Sequence, residues 1–401
     1  MKDRQSNFTM YFPIAARLLL TGLMGMLMLA STPVLFGQTY SETVLYSFGA
    51  ASGASDGEGP TGKLLRDNKG NLYGATYFGG VSFNGTVFVV NSAGKQHVMY
   101  SFMGTPDGQN PSSALIPDAA GNLYGTAYAG GAHGYGAVFR VNHSTRQATL
   151  VYSFSGGADG SYPEAGLIRD SAGNFYGTTV TGGTYGAGTI FKIDSLGTET
   201  VLHSFNGLDG GNPEGTLLRD ANGNLYGTAS SGIGGHGVVF KLAPSGTLIV
   251  LYQFTGTPDG SEPFGSLTAD GAGNLYGTTA WGGTYDLGTV FKLALSTRQL
   301  TVLHSFSGAA DGQTPLAGLL LDSSGNLFGT AMEGGLFGWG TVFKLDSAGH
   351  FSVLHNFAGS PDGAYPSYGS DLVSDAAGVL YGTTVGGGIY GDGTVYKLMP
   401  N

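Results

Sequence analysis

The feature that most constrains this chain is a repeat: NLYGAT at Asn71 returns as NLYGTA at Asn122, NFYGTT at Asn174, NLYGTA at Asn224, NLYGTT at Asn274, NLFGTA at Asn326 and VLYGTT at Val379. Successive copies lie 51, 52, 50, 50, 52 and 53 residues apart, a period that belongs to solenoids, propellers or arrays. No 3.6-residue apolar pattern runs through the period, and 73 of the 401 residues are Gly, which excludes a helical solenoid. Each period instead holds short runs rich in aromatic and β-branched residues, separated by Gly, Asn, Asp and Pro, the punctuation of strands. In the first period these runs are VLYSF (Val44 to Phe48), KLLRD (Lys63 to Asp67), NLYGAT (Asn71 to Thr76) and GTVFVV (Gly85 to Val90). Four strands per unit make a propeller blade, so the chain is predicted to be all-β, a seven-bladed β-propeller of four-stranded antiparallel blades.

A blade is a meander that runs outward from a central channel. By analogy with repeat propellers in which a GNLY-like strand comes second, the KLLRD type is assigned as innermost, then NLYGT, GTVFKL and VLYSF. The chain then begins on an outermost strand and ends on a third strand, Gly393 to Leu398. The ring is therefore predicted to close by pairing of its N-terminal and C-terminal strands, which also covers an open sheet edge. The recurring GNLYGTT, GG, GTVFKL, VLYSF and DG elements resemble the Gloeo/Verruco tandem-repeat (GloVer) family of bacterial proteins from Val44 to Leu398, although Gly85 to Val90 ends VFVV and Gly136 to Val141 ends VFRV. The resemblance implies an exported repeat protein and, with Asn401 three residues past the last strand, a free secreted or periplasmic product.

Ahead of the repeats stand Lys2, Arg4 and Arg17, the apolar run from Leu18 to Ala30, and small or turn-forming residues up to Gln38. This is the layout of a secretory signal peptide, so residues 1–37 are expected to be a signal cleaved between about 30 and 38, and 38–401 the propeller. The apolar run is short for a membrane span, and the mature chain is expected to have none, although an uncleaved anchor is the alternative. With no Cys there can be no disulfide, thiolate metal site or lipid attachment through a thiol. A net charge of −10 and no basic cluster after the first 20 residues argue against nucleic acid as a partner.

Two Asp slots recur in all seven copies. One opens the first-to-second turn, as in DSAGN from Asp170; the other is an Asp-Gly four residues before a Pro, as in Asp209 and Pro213. Both read as turn chemistry: Asp bonds nearby backbone N–H groups, Gly supplies positive φ, and Pro fixes φ before the inner strand. A single carboxylate per turn is also too few oxygens for calcium. His203, His304 and His355 fill the slot held by Tyr46, Tyr100, Tyr152 and Tyr252 and read as aromatic replacements far from the channel.

The second-to-third loops vary, and they share a face with the blade-to-blade connections. Trp281, Tyr285 and Asp286 lie in the fifth of these loops, Glu333 and Trp339 in the sixth, and they hold both Trp residues of the chain. Aromatic rings beside carboxylates suit stacking on a sugar with hydrogen bonds at its rim, so these five form the candidate binding site, against the alternative that the rings pack blades together. No Ser/His/Asp order, metal-ligand cluster or nucleotide motif is present, and no catalytic residue, metal or cofactor is assigned. The expected function is a monomeric, extracytoplasmic binding or scaffold module for a glycan or surface protein. The alternatives are a glycan-cleaving hydrolase or lyase, for which Glu333, Asp286 and Asp392 would supply acids, and an envelope component with no small ligand.

Overall fold

Glycine inside a strand weakens it, yet every NLYGT run carries one. The computed structural model, which describes residues 39–366 and 369–401, shows the cause. A Cβ on Gly177 would lie 2.6 Å from Cζ of Phe191 on the adjoining third strand, and Gly227 and Gly329 meet Phe240 and Phe343 at the same distance. The missing side chain is the space into which a phenyl ring is packed.

Each repeat forms one antiparallel sheet in the expected order. In blade 3, Ile168–Arg169, Phe175–Thr179, Thr189–Ile193 and Glu199–Ser204 follow one another outward. Seven such sheets make a seven-bladed propeller. Blade 7 is composite: Val373–Ser374, Leu380–Thr384 and Thr394–Pro400 are completed by Tyr40–Ser47 from the other end of the chain. The register sets Val44 opposite Tyr396 and Ser47 opposite Thr394, and Phe48 N–H donates to Gly393 O, so the predicted closure between the chain ends is present.

Packing between blades repeats as faithfully as pairing within them. The Phe of each VLYSF run meets the ring of the next blade's third strand edge to face: Phe154 on Phe191 at 5.1 Å, Phe205 on Phe240 at 5.2 Å, and Phe48 on Phe88 at 5.0 Å across the closure. These rings are fully buried and form the hub of each joint. At the last joint Phe357 meets Tyr396, a tyrosine where the other six blades have Phe, and its hydroxyl is buried with no partner.

Two details differ from the sequence-based expectation. The inner strand pairs over only two residues in blades 3 to 7, as in Leu218–Arg219, while in blade 2 Gln109–Pro111 adds a second short pairing to Ile116–Pro117. Upstream of that pair the chain turns to its lateral neighbours instead. Gly166 N–H donates to Thr216 Oγ1 at 3.0 Å, Thr216 N–H to Ser266 Oγ at 3.1 Å and Gly318 N–H to Asp371 Oδ1 at 2.7 Å, each acceptor lying on the following blade. Near the axis the strands converge, and backbone groups find the adjoining blade closer than their own sheet. The histidines, moreover, do more than replace an aromatic ring. Nε2 of His203, His304 and His355 lies 2.9, 2.9 and 3.0 Å from Asp209, Asp311 and Asp362, the bond that Tyr46, Tyr152 and Tyr252 hydroxyls donate to Asp56, Asp159 and Asp259. The aromatic slot and the Asp-Gly slot are two halves of one clasp between an outermost strand and the connection to the next blade.

Candidate functional site

The two ends of the ring carry different chemistry. At one end each first-to-second turn is closed by its own Asp. Asp170 Oδ1 accepts Ala172 N–H at 3.0 Å and Asn174 N–H at 2.9 Å, while Oδ2 accepts Asn174 Nδ2 at 2.8 Å and Tyr176 OH at 3.0 Å. Burial would raise the carboxyl, but these bonds outweigh it and hold Asp170 below the usual range. With its lone pairs committed inside the hairpin, this carboxylate serves the turn.

At the other end the connection into each inner strand makes one sharp turn just before its Pro. Gly59, Asn110, Tyr162, Asn212, Glu262, Thr314 and Tyr365 all have φ between 53° and 62°, six of them without the freedom of glycine. Each N–H is anchored on the preceding second-to-third loop, as Tyr162 N–H is on Tyr135 O and Tyr365 N–H on Trp339 O. The backbone of this ring is the same seven times over while its side chains differ, and in blades 2 to 6 the residue after the Pro lines the axial channel.

The second-to-third loops stand around this ring and expose at least one large apolar side chain in every blade. Phe83, Tyr135, Tyr185, Ile233, Tyr285, Phe337 and Tyr390 are between 40 and 66% exposed. Trp339, beside Phe337, is 39% exposed; its ring meets Tyr365 edge to face at 5.1 Å. The five sequence-predicted residues all lie on this face, in two groups. Trp281 and Glu333 occupy one slot in successive blades, bridged through their backbones to Ser261 and Gln313, and Glu333 Oε2 accepts Gln313 Nε2 at 2.9 Å. Trp339 and Glu333 share a neighbour in Tyr365, whose hydroxyl is raised by burial and then by Glu333. Asp286, at φ 58° where blades 2, 3, 6 and 7 have Gly, turns Oδ1 back to Gly282 N–H at 2.9 Å. Among the described residues no hydrogen bond or ring contact joins Trp281, Tyr285 and Asp286 to Glu333 and Trp339.

Residues that sequence reasoning missed lie inside the channel, a cavity of about 510 Å³ lined by all seven inner segments. At the long-loop end the position after Pro is Thr61, Ser112, Glu164, Glu214, Phe264 or Leu316, so two adjoining blades put carboxyls side by side. Burial lifts Glu164 to about 7. Glu214 is raised well above the usual range by burial, then by the charges of Glu164 and Glu262, against a smaller opposing effect of Ser230. Next to them three tyrosines from blades 1 to 3 form a wall: Tyr128 stacks on Tyr162 at 4.9 Å, and Tyr77 lies 6.4 Å from Tyr128. Tyr128 is pushed up to about 12 by burial, then by the charges of Glu164, Tyr162 and Glu214. In the other blades the Tyr77 and Tyr128 slot holds Val180, Ser230, Ala280, Met332 and Val385. The available signal was slight, because the position after the Pro varies from copy to copy and a Glu in two successive copies breaks no pattern. Among the described residues no cluster of three or more acidic, His or Cys groups is arranged to hold a metal ion.

The fold and this mouth define a class: a seven-bladed propeller with a uniform hub and a variable long-loop face. More narrowly, the chain belongs to the Gloeobacter/Verrucomicrobia repeat family, whose pattern it matches over residues 33–235 and 216–401. No curated protein matches it. Among solved structures it resembles the extracellular domain of a protein from B. thetaiotaomicron assigned to the hybrid two component systems, with 14% identity and a TM-score of 0.59, over 91% of this chain and 41% of that one. A second such domain, from a protein of the same organism assigned to the one component systems, matches at 11% identity and 0.58 over 90% of this chain and 40% of that one. The chain therefore spans about two fifths of the length of each. An oligogalacturonate lyase from Vibrio parahaemolyticus matches at 11% identity and 0.56, over 90% of this chain and 97% of that one. At such identities the likeness shows the fold alone.

Proposed function

We propose that this protein is an extracytoplasmic binding module that engages an extended surface polymer, a glycan foremost, across its long-loop face. The observation that carries this is the rim: at least one exposed apolar side chain in every blade, carried on loops whose anchoring backbone is invariant. Exposed apolar patches of this kind mark interaction surfaces, and aromatic rings with polar neighbours suit the flat faces of sugars. Spread over seven blades, the rim suits a polymer contacted at several points better than one small molecule. Residues 1–37 supply the export signal in this proposal, with the mature chain starting just ahead of the first strand at Tyr40. The resemblance to extracellular domains agrees with that location. Catalysis at the rim gains no support, since Glu333 accepts a bond from Gln313 on the adjoining connection and Asp286 one from its own loop.

The test is retention of the purified protein on a glycan array and on insoluble polysaccharides. Tyr285→Ala, Phe337→Ala and Trp339→Ala are each expected to weaken binding by about 1–3 kcal/mol, the scale of a central contact, with melting unchanged. Retention by no polymer, or retention unaltered in all three variants, would sink the proposal.

A further inference from the structure

The rim is not the same all the way round. In six blades the residue after the paired glycines of the second-to-third loop is anchored through its backbone, its N–H donating to a side chain at the end of the outermost strand. Val81 donates to Ser101 Oγ at 2.8 Å, Thr184 to Ser204 Oγ at 3.3 Å and Leu336 to Asn356 Oδ1 at 2.8 Å. The anchor fixes the main chain and leaves the side chain to vary. This tip is Ala132 in blade 2 and Thr184 and Thr284 in blades 3 and 5, but Leu336, Ile389 and Val81 in blades 6, 7 and 1, which are neighbours through the closure. These three aliphatic chains are 72, 66 and 74% exposed.

Two further positions divide the ring at the same place. The rim aromatic is Tyr135, Tyr185 and Tyr285 in blades 2, 3 and 5, whereas blades 6 and 1 have Phe337 and Phe83, rings without a hydroxyl; blade 7 keeps Tyr390. The residue after the Phe of each VLYSF-type run is polar behind blades 2 to 5, where Ser155, Asn206, Thr255 and Ser307 donate from their side chains to the Asp of the clasp. Behind blades 6, 7 and 1 the same position holds Ala358, Gly49 and Met103, the last 57% exposed. Blade 4 stands apart, with Ile233 on a loop that has no Phe, Tyr or Trp. Exposed aliphatic tips contribute nothing to the core, and three on consecutive blades mark a surface that meets a partner.

We propose that the apolar arc of blades 6, 7 and 1 is a docking surface for an electrically neutral lipid bilayer, with Leu336, Ile389 and Val81 entering the edge of the hydrocarbon. The order of residue types selects this partner. Exposure falls from 66–74% at the aliphatic tips to 39–55% at the rings of Phe83, Phe337, Trp339 and Tyr390, so aliphatic chains lead and aromatic rings follow. A bilayer has the same gradient, hydrocarbon inside and an aromatic-favouring interface around it. The tips also stand on three separate loops. A fluid phase closes around each of them, whereas a protein partner would have to match all three at the packing density of an interface. The charge of the headgroups follows from the same segments: residues 48–60, 79–85, 102–111, 334–340, 357–366 and 387–393 contain no Lys or Arg, so nothing there draws in an anionic surface. The polymer reading draws on rings around the whole rim and this one on tips that the polymer reading does not use, so either can fail without the other.

Co-sedimentation of the purified protein with phosphatidylcholine vesicles tests the surface. The parent is expected to partition onto them. Leu336→Thr, Ile389→Thr and Val81→Thr should each weaken partitioning about tenfold, the scale of one buried aliphatic side chain, while Thr284→Ala leaves it unchanged. Thr is native to this tip in blades 3 and 5, so melting of the three variants should match the parent. The two indoles report which part of the face is inserted. With brominated phosphatidylcholine, fluorescence of Trp281→Phe, in which Trp339 is the remaining indole, should be quenched, and that of Trp339→Phe should not. No partitioning by the parent, equal partitioning by the parent and the triple Thr variant, or quenching of Trp281 in place of Trp339 would overturn the proposal. So would tighter partitioning onto phosphatidylglycerol than onto phosphatidylcholine, or a concentration-dependent dimer that the triple variant abolishes.

Discussion

Glu164 and Asp170 stand six residues apart on the inner segment of one blade and face opposite fates. Asp170, at the hairpin end, accepts four hydrogen bonds from its own turn and is held below the usual carboxylate range. Glu164, at the mouth, accepts none among the described residues and is lifted to about 7 by burial. The first kind of acid recurs in every blade; the second occurs in two. The contrast separates residues that the repeat needs seven times from residues kept at a few positions against the interest of stability, and the latter are where binding is to be sought.

The comparison can be broken most sharply at its stable pole. Asp170→Ala strips donors in a half-buried turn of their acceptor and is expected to lower unfolding free energy by about 1–3 kcal/mol, measured by urea denaturation at neutral pH. A variant as stable as its parent would remove the distinction between the two ends. Glu164→Gln should move the other way. Because the native carboxyl titrates near 7 and the unfolded one near 4.5, the folded state holds the extra proton between those values, and stability falls as pH rises through that window. Allowing for water in the channel, the Gln variant should gain about 1–2 kcal/mol at about pH 8 and nothing near pH 4. Glu42 and Glu199, also raised to about 7, first by burial, add to the same slope, so the parent should melt highest near pH 5. A melting temperature that climbs from pH 5 to pH 8 would contradict the placement of all three. The smallest effect sharpens the comparison by showing that a departure from the repeat need not be functional. Tyr396→Phe restores the residue found in the other six blades and removes a buried hydroxyl without a partner, for an expected gain of about 1 kcal/mol by thermal melting. A loss there would mean that the hydroxyl has a partner after all.

The fold was legible because period, strand punctuation and turn residues all repeat, and each repetition tests the last. Even the closure of Tyr40–Ser47 on Thr394–Pro400 follows from the order in which the motifs begin and end. The site was legible only as a face. Trp281, Tyr285, Asp286, Glu333 and Trp339 do lie among the long loops, but Asp286 was visible as a spare carboxylate and not as the cap of a left-handed turn, because φ is not written in a residue's name. The clasps went unseen for a related reason. Tyr252 lies on an outermost strand and Asp259 seven residues on, in the connection to the next blade, and only the arc of that connection brings the phenol to 2.7 Å from the carboxylate. Glu164 and Glu214 were hidden by regularity itself: they sit beside the Pro of a motif whose other features explain it completely as a turn.

The pairing of the two chain ends also sets the order of events in time. Of the described strands, Tyr40–Ser47 leaves the ribosome first and its partner, Thr394–Pro400, last. For most of synthesis, and for most of its passage across a membrane if it is exported, the first strand has no lawful neighbour and must stay apart from six blades that form before its partner arrives. A hundred such molecules side by side offer a hundred unpaired first strands and, a moment later, a hundred unpaired last ones, so the same joint that seals a single ring can link ring to ring. Which of these happens is decided by concentration and by whatever escorts the early strand, not by the sequence of any blade.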